Sequence, residues 1–121
     1  MDFDNSRPIY LQLLDDFKLK ISVGEWSPGD KIDSVRALAS AYGVNPNTVQ
    51  KALAELERDG LAESRRTAGR FVTEDKKVIS KLEDSSFYEL AYKFIEGAGN
   101  LNLDKNTAIE QLSSYWEERD D

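Results

Sequence analysis

Between Gly43 and Gly60 the chain brings Asn45, Asn47, Thr48, Gln50 and Lys51 close together, around a proline at position 46. Asn45 in front of Pro46 marks a helix start, because proline is pre-shaped for the first helical position and an Asn side chain satisfies an orphan N–H. Asn47 and Thr48 exceed what a cap requires. At about 100° per residue, Val49, Ala52, Leu53 and Leu56 fall on one side of that helix, and Asn47, Gln50, Lys51, Ala54 and Arg58 centre on the other. One side packs and the other is open for chemistry. Its amides match the edge of adenine, at N6 and N7; Lys reaches guanine O6 and N7; Thr meets a thymine methyl or a phosphate oxygen. The small Ala54 allows close approach to a duplex.

Duller roles exist for the same residues. Asn45 and Pro46 serve the helix start whatever else they do, and Lys51 with Glu55 forms an i,i+4 pair on a solvated face. Arg58, between Glu57 and Asp59, reads as surface charge, and Arg65 and Arg66 could be the polar side of an edge strand.

Composition excludes several other chemistries. Among 121 residues there is no cysteine and no histidine, which removes disulfides, thiolate metal sites and the commonest general base. Catalysis would rest on carboxylates, lysines or hydroxyls, and no pair of these stands out, so no catalytic residue, metal ligand or cofactor is expected. The opening "MDFDNSRP" lacks a basic and apolar leader, and no apolar run approaches the roughly 20 residues that span a bilayer. A cytoplasmic location without a membrane partner is expected.

The net charge of −7 weighs against a polyanionic partner until its distribution is considered. Residues 31–72 carry seven basic and five acidic side chains, a net of +2, whereas residues 1–30 sum to −3 and residues 73–121 to −6. A weakly basic segment lies between acidic flanks.

The elements that must hold the polar helix are legible around it. Ile9, Leu13, Leu14, Phe17 and Ile21 have helical spacing, with Pro8 near the start and Gly24 as a stop. After the Pro-Gly turn of "SPGDKID", Ser34 caps a short helix with Val35, Leu38, Ala39 and Tyr42 on its apolar side, ended by Gly43. "LAESR" and "RFVTE" read as two strands joined across "RTAG", where Gly69 supplies the turn. Three helices and a hairpin make a winged helix, and the second and third helices have the layout of a helix-turn-helix.

Taken in order, "PIYLQL", the Gly before Trp26, "PG", "SVRALA", "GVNPNTV", "ALAELERDGL" and the closing "FV" make residues 7–72 closely similar to the DNA-binding domain of the GntR family of bacterial transcription regulators. "NPNTVQKA" looks most like the small YtrA-type branch. The resemblance implies that Arg36, early in the second helix, contacts DNA and that the start of the third helix carries the readout. Departures matter too. Many members have arginines where this chain has Pro46 and Gln50, so base readout would rest on Asn47, Thr48, Gln50 and Lys51. Ala37 stands where a Glu often follows Arg36, which removes half of a capping box and leaves the second helix prone to fraying. The wing has Thr67-Ala68-Gly69-Arg70 in place of Gly-x-Gly-Thr, and Arg70 could enter a minor groove or grip phosphate.

Beyond Val72, residues 78–95 carry Val78, Ile79, Leu82, Phe87, Leu90, Ala91, Phe94 and Ile95 at helical spacing. One long helix is expected, with a break allowed between Asp84 and Ser86, where Ser86 and Glu89 could form an internal capping box. Asp104 can cap a last helix bearing Ala108, Ile109, Leu112, Tyr115 and Trp116. Such a hairpin has no core of its own and must cover its stripes with the winged domain or a second chain.

The expected fold is therefore mainly α with a small β hairpin: a winged helix-turn-helix domain at 1–75 and a C-terminal two-helix dimerisation hairpin at 76–121. The expected function is a homodimeric, sequence-specific transcription regulator, a repressor, on a pseudo-palindromic operator of double-stranded DNA. Arg36, Asn45, Asn47, Thr48, Gln50, Lys51, Arg65, Arg66, Gly69 and Arg70 would face DNA, and Leu82, Phe87, Leu90, Phe94, Leu112 and Trp116 would form the dimer clasp. Any small-molecule effector would act at the clasp or near Thr73 to Lys77. The leading alternative is a winged-helix protein-interaction module, to which the acidic surface would be the contact; a carboxylate-based hydrolase comes third.

Overall fold

The computed structural model describes residues 1–120 and opens, after Pro8, with helix α1 (Ile9–Ser22). Helix α2 (Val35–Tyr42) begins where Ser34 Oγ accepts from the Ala37 N–H at 3.1 Å, and it ends at Gly43. Gly43 sits at φ +67°, a left-handed conformation that a side chain would resist. Helix α3 (Pro46–Arg58) is capped by Asn45, whose Oδ1 accepts from the Asn47 N–H at 2.7 Å. Strands β1 (Ala62–Arg65) and β2 (Gly69–Val72) pair antiparallel, with Ala62 opposite Val72 and Arg65 opposite Gly69. Thr67 takes positive φ in the turn between them, and Gly69 does so where β2 begins.

The wing has one more edge than the hairpin alone provides. Gly29 N–H donates to the Val72 carbonyl at 3.0 Å, Val72 N–H to the Asp30 carbonyl at 2.8 Å and Ile32 N–H to the Arg70 carbonyl at 2.9 Å. The stretch after the Pro-Gly turn is thereby sewn to β2, which places Lys31 beside the wing.

Phe17, Leu13, Leu53, Leu56, Val49 and Val72 are the largest fully buried side chains, and they tie α1, α3 and the wing into one core. Phe17 stacks on Trp26 at 5.1 Å between centroids and meets Tyr42 edge-on at 5.7 Å. Burying such a ring contributes about 1.5–3 kcal/mol. The Tyr42 hydroxyl donates to Asp16 Oδ2 at 2.5 Å. Burial first, then this bond and the Asp16 charge, push the Tyr42 phenol well above its ordinary range. The folded chain thus holds that proton more tightly than the unfolded chain, where tyrosine titrates near about 10. The associated stability is complete below about pH 10 and falls as the pH rises beyond it. Urea unfolding compared at about pH 8 and pH 11 should show a larger loss for the native chain than for Tyr42→Phe.

Helix α4 (Lys76–Asn100) starts at Asp75, whose Oδ1 accepts from the Lys77 N–H at 2.9 Å. It runs unbroken through Asp84 to Ser86, so the internal capping box of Ser86 and Glu89 does not form. No proline or glycine interrupts the ladder there, and the helix has no reason to stop. Val78, Ile79 and Leu82 lie half-buried against the winged core, and the first compact unit accordingly extends from Met1 to Glu83. Leu82, expected in the clasp, belongs to this packing.

The second unit begins at Asp84 and comprises the rest of α4, a turn, and helix α5 (Lys105–Asp120). Asp104 caps α5, its Oδ1 accepting from the Thr107 N–H at 2.8 Å. Ala108 is the one buried hydrophobic residue among those described in this unit. As expected of a hairpin without a core of its own, α4 and α5 make little contact with each other. Phe87, Leu90, Ile95, Tyr115 and Trp116 each expose more than half of their surface.

Candidate nucleic-acid interface

The two sides of α3 separate as the spacing requires. Val49, Ala52, Leu53 and Leu56 are buried, while Asn47, Gln50, Lys51 and Ala54 are exposed and Thr48 is half-buried. Asn45 is exposed, but its Oδ1 is engaged as the helix cap, which leaves chiefly its NH2 for a ligand. Arg36 is exposed in the first turn of α2 and makes no ion pair among the described residues.

The cations divide into held and unheld groups. Lys51 is not paired with Glu55; its Nζ lies 4.1 Å from the ring centroid of Tyr10 on α1, a cation–π contact. Glu55 instead stands 3.7 Å from Arg58. Arg65 bonds Glu63 at 2.9 Å and lays its guanidinium 4.3 Å over Phe71. Arg66 is exposed at the tip of the turn, where it makes no ion pair among the described residues.

Arg70 points back toward α3 and away from the wing tip. Its Nε donates to Glu57 Oε1 at 2.7 Å, its NH1 lies 3.4 Å from Gln50 Oε1, and its side chain is 20% exposed. Glu57 also accepts from the Ser64 hydroxyl, and this bond, with the Arg70 pair, holds its carboxyl below the ordinary range against the opposing effect of burial. The local sequence gave no signal for Glu57 or Tyr10, because their partners lie far along the chain.

Between the start of α2 and the wing runs an open groove of about 510 Å³, lined by Lys31, Ser34, Ser64, Arg65, Thr67 and Arg70 among others. Cations and hydroxyls on both walls suit phosphate oxygens. Lys31 joins the groove through its pairing with Phe71, and Gly69 brings the β2 backbone close: a Cβ there would stand 3.1 Å from Lys31 Cε.

A polar helix end beside a hairpin with cationic edges, on a three-helix core, defines a winged helix-turn-helix protein. The chain belongs to the gntR family of bacterial regulatory proteins, whose pattern it matches over residues 9–72. It is a helix-turn-helix transcription regulator of the YtrA-like type. It is 36% identical to the uncharacterized HTH-type transcriptional regulator YhcF of Bacillus subtilis over 115 residues, 95% of each chain. With the transcriptional repressor YtrA of the same organism it shares 44% identity over 77 residues, 64% of this chain and 59% of that protein. A GntR family transcriptional regulator from Listeria monocytogenes superposes with a TM-score of 0.88 at 38% identity, over 93% of this chain and 98% of that one. The DNA-binding domain of AraR, solved with its operator ORX1, superposes at 0.56 and 28% identity, over 60% of this chain and 93% of that one. Among the described residues, no helix is long and apolar enough to cross a membrane.

Proposed function

We propose that the chain is a cytoplasmic repressor that binds a pseudo-palindromic DNA operator as a homodimer, with α3 in the major groove of each half-site. The observation that carries this is the exposed set of Asn47, Gln50 and Lys51 at the N-terminal end of a helix whose opposite side is buried. Recognition helices of this class present their N-terminal residues to base edges in that way. Arg36, Arg66 and the groove cations Lys31 and Arg65 supply the phosphate contacts that set register. The operator complex of AraR supports DNA as the ligand, and the repressor name of YtrA supports the sign of regulation.

The dimer rests on Phe87, Leu90, Phe94, Leu112 and Trp116, which a single chain leaves exposed in a unit with one buried hydrophobic residue among those described. A second copy covers them and gives two half-site readers. An effector would bind at this clasp or near Thr73 to Lys77.

Selection of bound fragments from random duplex DNA tests the proposal. Enrichment of an inverted repeat with half-sites centred about 10 base pairs apart, or a small multiple of that, is the expected result. Enrichment of a single asymmetric site, or of none, would count against it.

A further inference from the structure

Gln50 is exposed on α3, and its amide lies beside Arg70, a residue of β2 20 positions along the chain. Glu57 holds that guanidinium in place, accepting from Arg70 Nε at 2.7 Å and from the Ser64 hydroxyl through the same oxygen. With 20% of its side chain exposed, Arg70 is part of the surface of the unit and not a free arm. Its NH1 stands 3.4 Å from Gln50 Oε1. A glutamine amide can turn either end outward. Turning the NH2 toward a guanidinium would set donor against donor beside a positive charge, so the carbonyl oxygen faces Arg70 and the NH2 faces away.

We infer that the Glu57–Arg70 pair fixes Gln50 as a hydrogen-bond donor, and that Gln50 therefore selects guanine at the base pair it meets. The inference rests on the reading that α3 enters the major groove. An unconstrained glutamine recognises adenine by accepting from N6 while donating to N7. With Oε1 turned to Arg70 the accepting half is withdrawn, and the adenine amino group would meet the amide NH2. Guanine presents two acceptors, O6 and N7, at the same edge. Arg70 acts as a positioning residue, and Glu57 acts through it.

The test is selection from random duplexes by the full chain and by its Gln50→Ala, Arg70→Met and Glu57→Gln variants, each first checked for a native thermal transition. Gln50→Ala should blur one base pair in each half-site, and the native chain should enrich guanine there. Arg70→Met should shift the guanine-to-adenine ratio at that position toward adenine by about fivefold or more. Glu57→Gln, which keeps the arginine but removes the carboxylate that pins it, should move the ratio in the same direction and serves if Arg70→Met does not fold. If Gln50→Ala blurs no position, Gln50 reads no base and this inference is overturned, whereas base reading by α3 itself fails only if Asn47→Ala blurs none either. If Gln50→Ala blurs a position that is adenine in the native selection, or if the variants at 57 and 70 weaken all sequences alike with the ratio unchanged, base reading stands and the inference is overturned.

Discussion

Raising the salt from about 50 to 200 mM should cost the dimer about 10³ to 10⁵ in operator affinity, as expected for neutralising on the order of 6 to 10 phosphates. Each copy offers Arg36, Lys51, Arg65, Arg66 and Arg70, with Lys31 at the groove. They are not equivalent. Arg70 is already neutralised by Glu57, and Arg65 is half-engaged with Glu63, whereas Arg36 and Arg66 make no ion pair among the described residues. The strongest salt dependence should therefore be lost in Arg36→Ala and Arg66→Ala, and least in Arg70→Met. Fluorescence anisotropy across a salt series measures the slope directly. A slope near zero would fit a winged fold that docks protein in place of DNA. The net charge of −6 on residues 73–121 should also keep retention on random DNA low at physiological salt.

The double variant Leu112→Asp, Trp116→Ala should sediment as a monomer and lose most of its operator affinity. Each such side chain contributes roughly 1.5–3 kcal/mol when buried, and the two-fold symmetry of a dimer removes each contact twice. The loss of about 6–12 kcal/mol is comparable to the roughly 8 kcal/mol that holds a micromolar dimer. Without the clasp, two half-site contacts no longer share an effective concentration, and affinity should fall by about 10² to 10⁴. Both side chains are exposed in the single chain, Leu112 at 39% and Trp116 at 66%, so the winged unit should keep its own unfolding transition. A variant that stays dimeric and keeps its operator affinity would move the interface to the winged unit.

Features that depend on near neighbours were legible in the sequence. The caps at Ser34, Asn45 and Asp104, the left-handed stop at Gly43 and the buried stripe Val49, Ala52, Leu53 and Leu56 follow from residues within one or two turns. What required the fold were contacts between distant segments. Lys51 could choose between Glu55, four residues on, and Tyr10 on another helix, and only the packing of α1 on α3 brings the ring within 4.1 Å. Arg70 reads as a wing-tip arginine until the hairpin register sets it opposite Ser64 and beside Glu57. Apolar spacing also predicted that α4 and α5 need cover without identifying it. Val78, Ile79 and Leu82 pack on the winged core, and Phe87, Leu90 and Ile95 beyond them stay exposed. A periodic stripe specifies that a face must be buried and carries no record of its partner.

The most direct measurement of whether α3 reads DNA is the affinity of Asn47→Ala for its selected operator and for a scrambled duplex, with Arg36→Ala as the reference. Asn47 is exposed at the start of α3 and does not support the core, so its loss should cost about 1–3 kcal/mol on the operator, leave the scrambled duplex unchanged and relax preference at one base pair per half-site. Arg36→Ala should instead weaken both duplexes in similar proportion. An Asn47→Ala chain that keeps its full discrimination between operator and scrambled DNA, alongside a Gln50→Ala chain that does the same, would contradict base recognition by this helix.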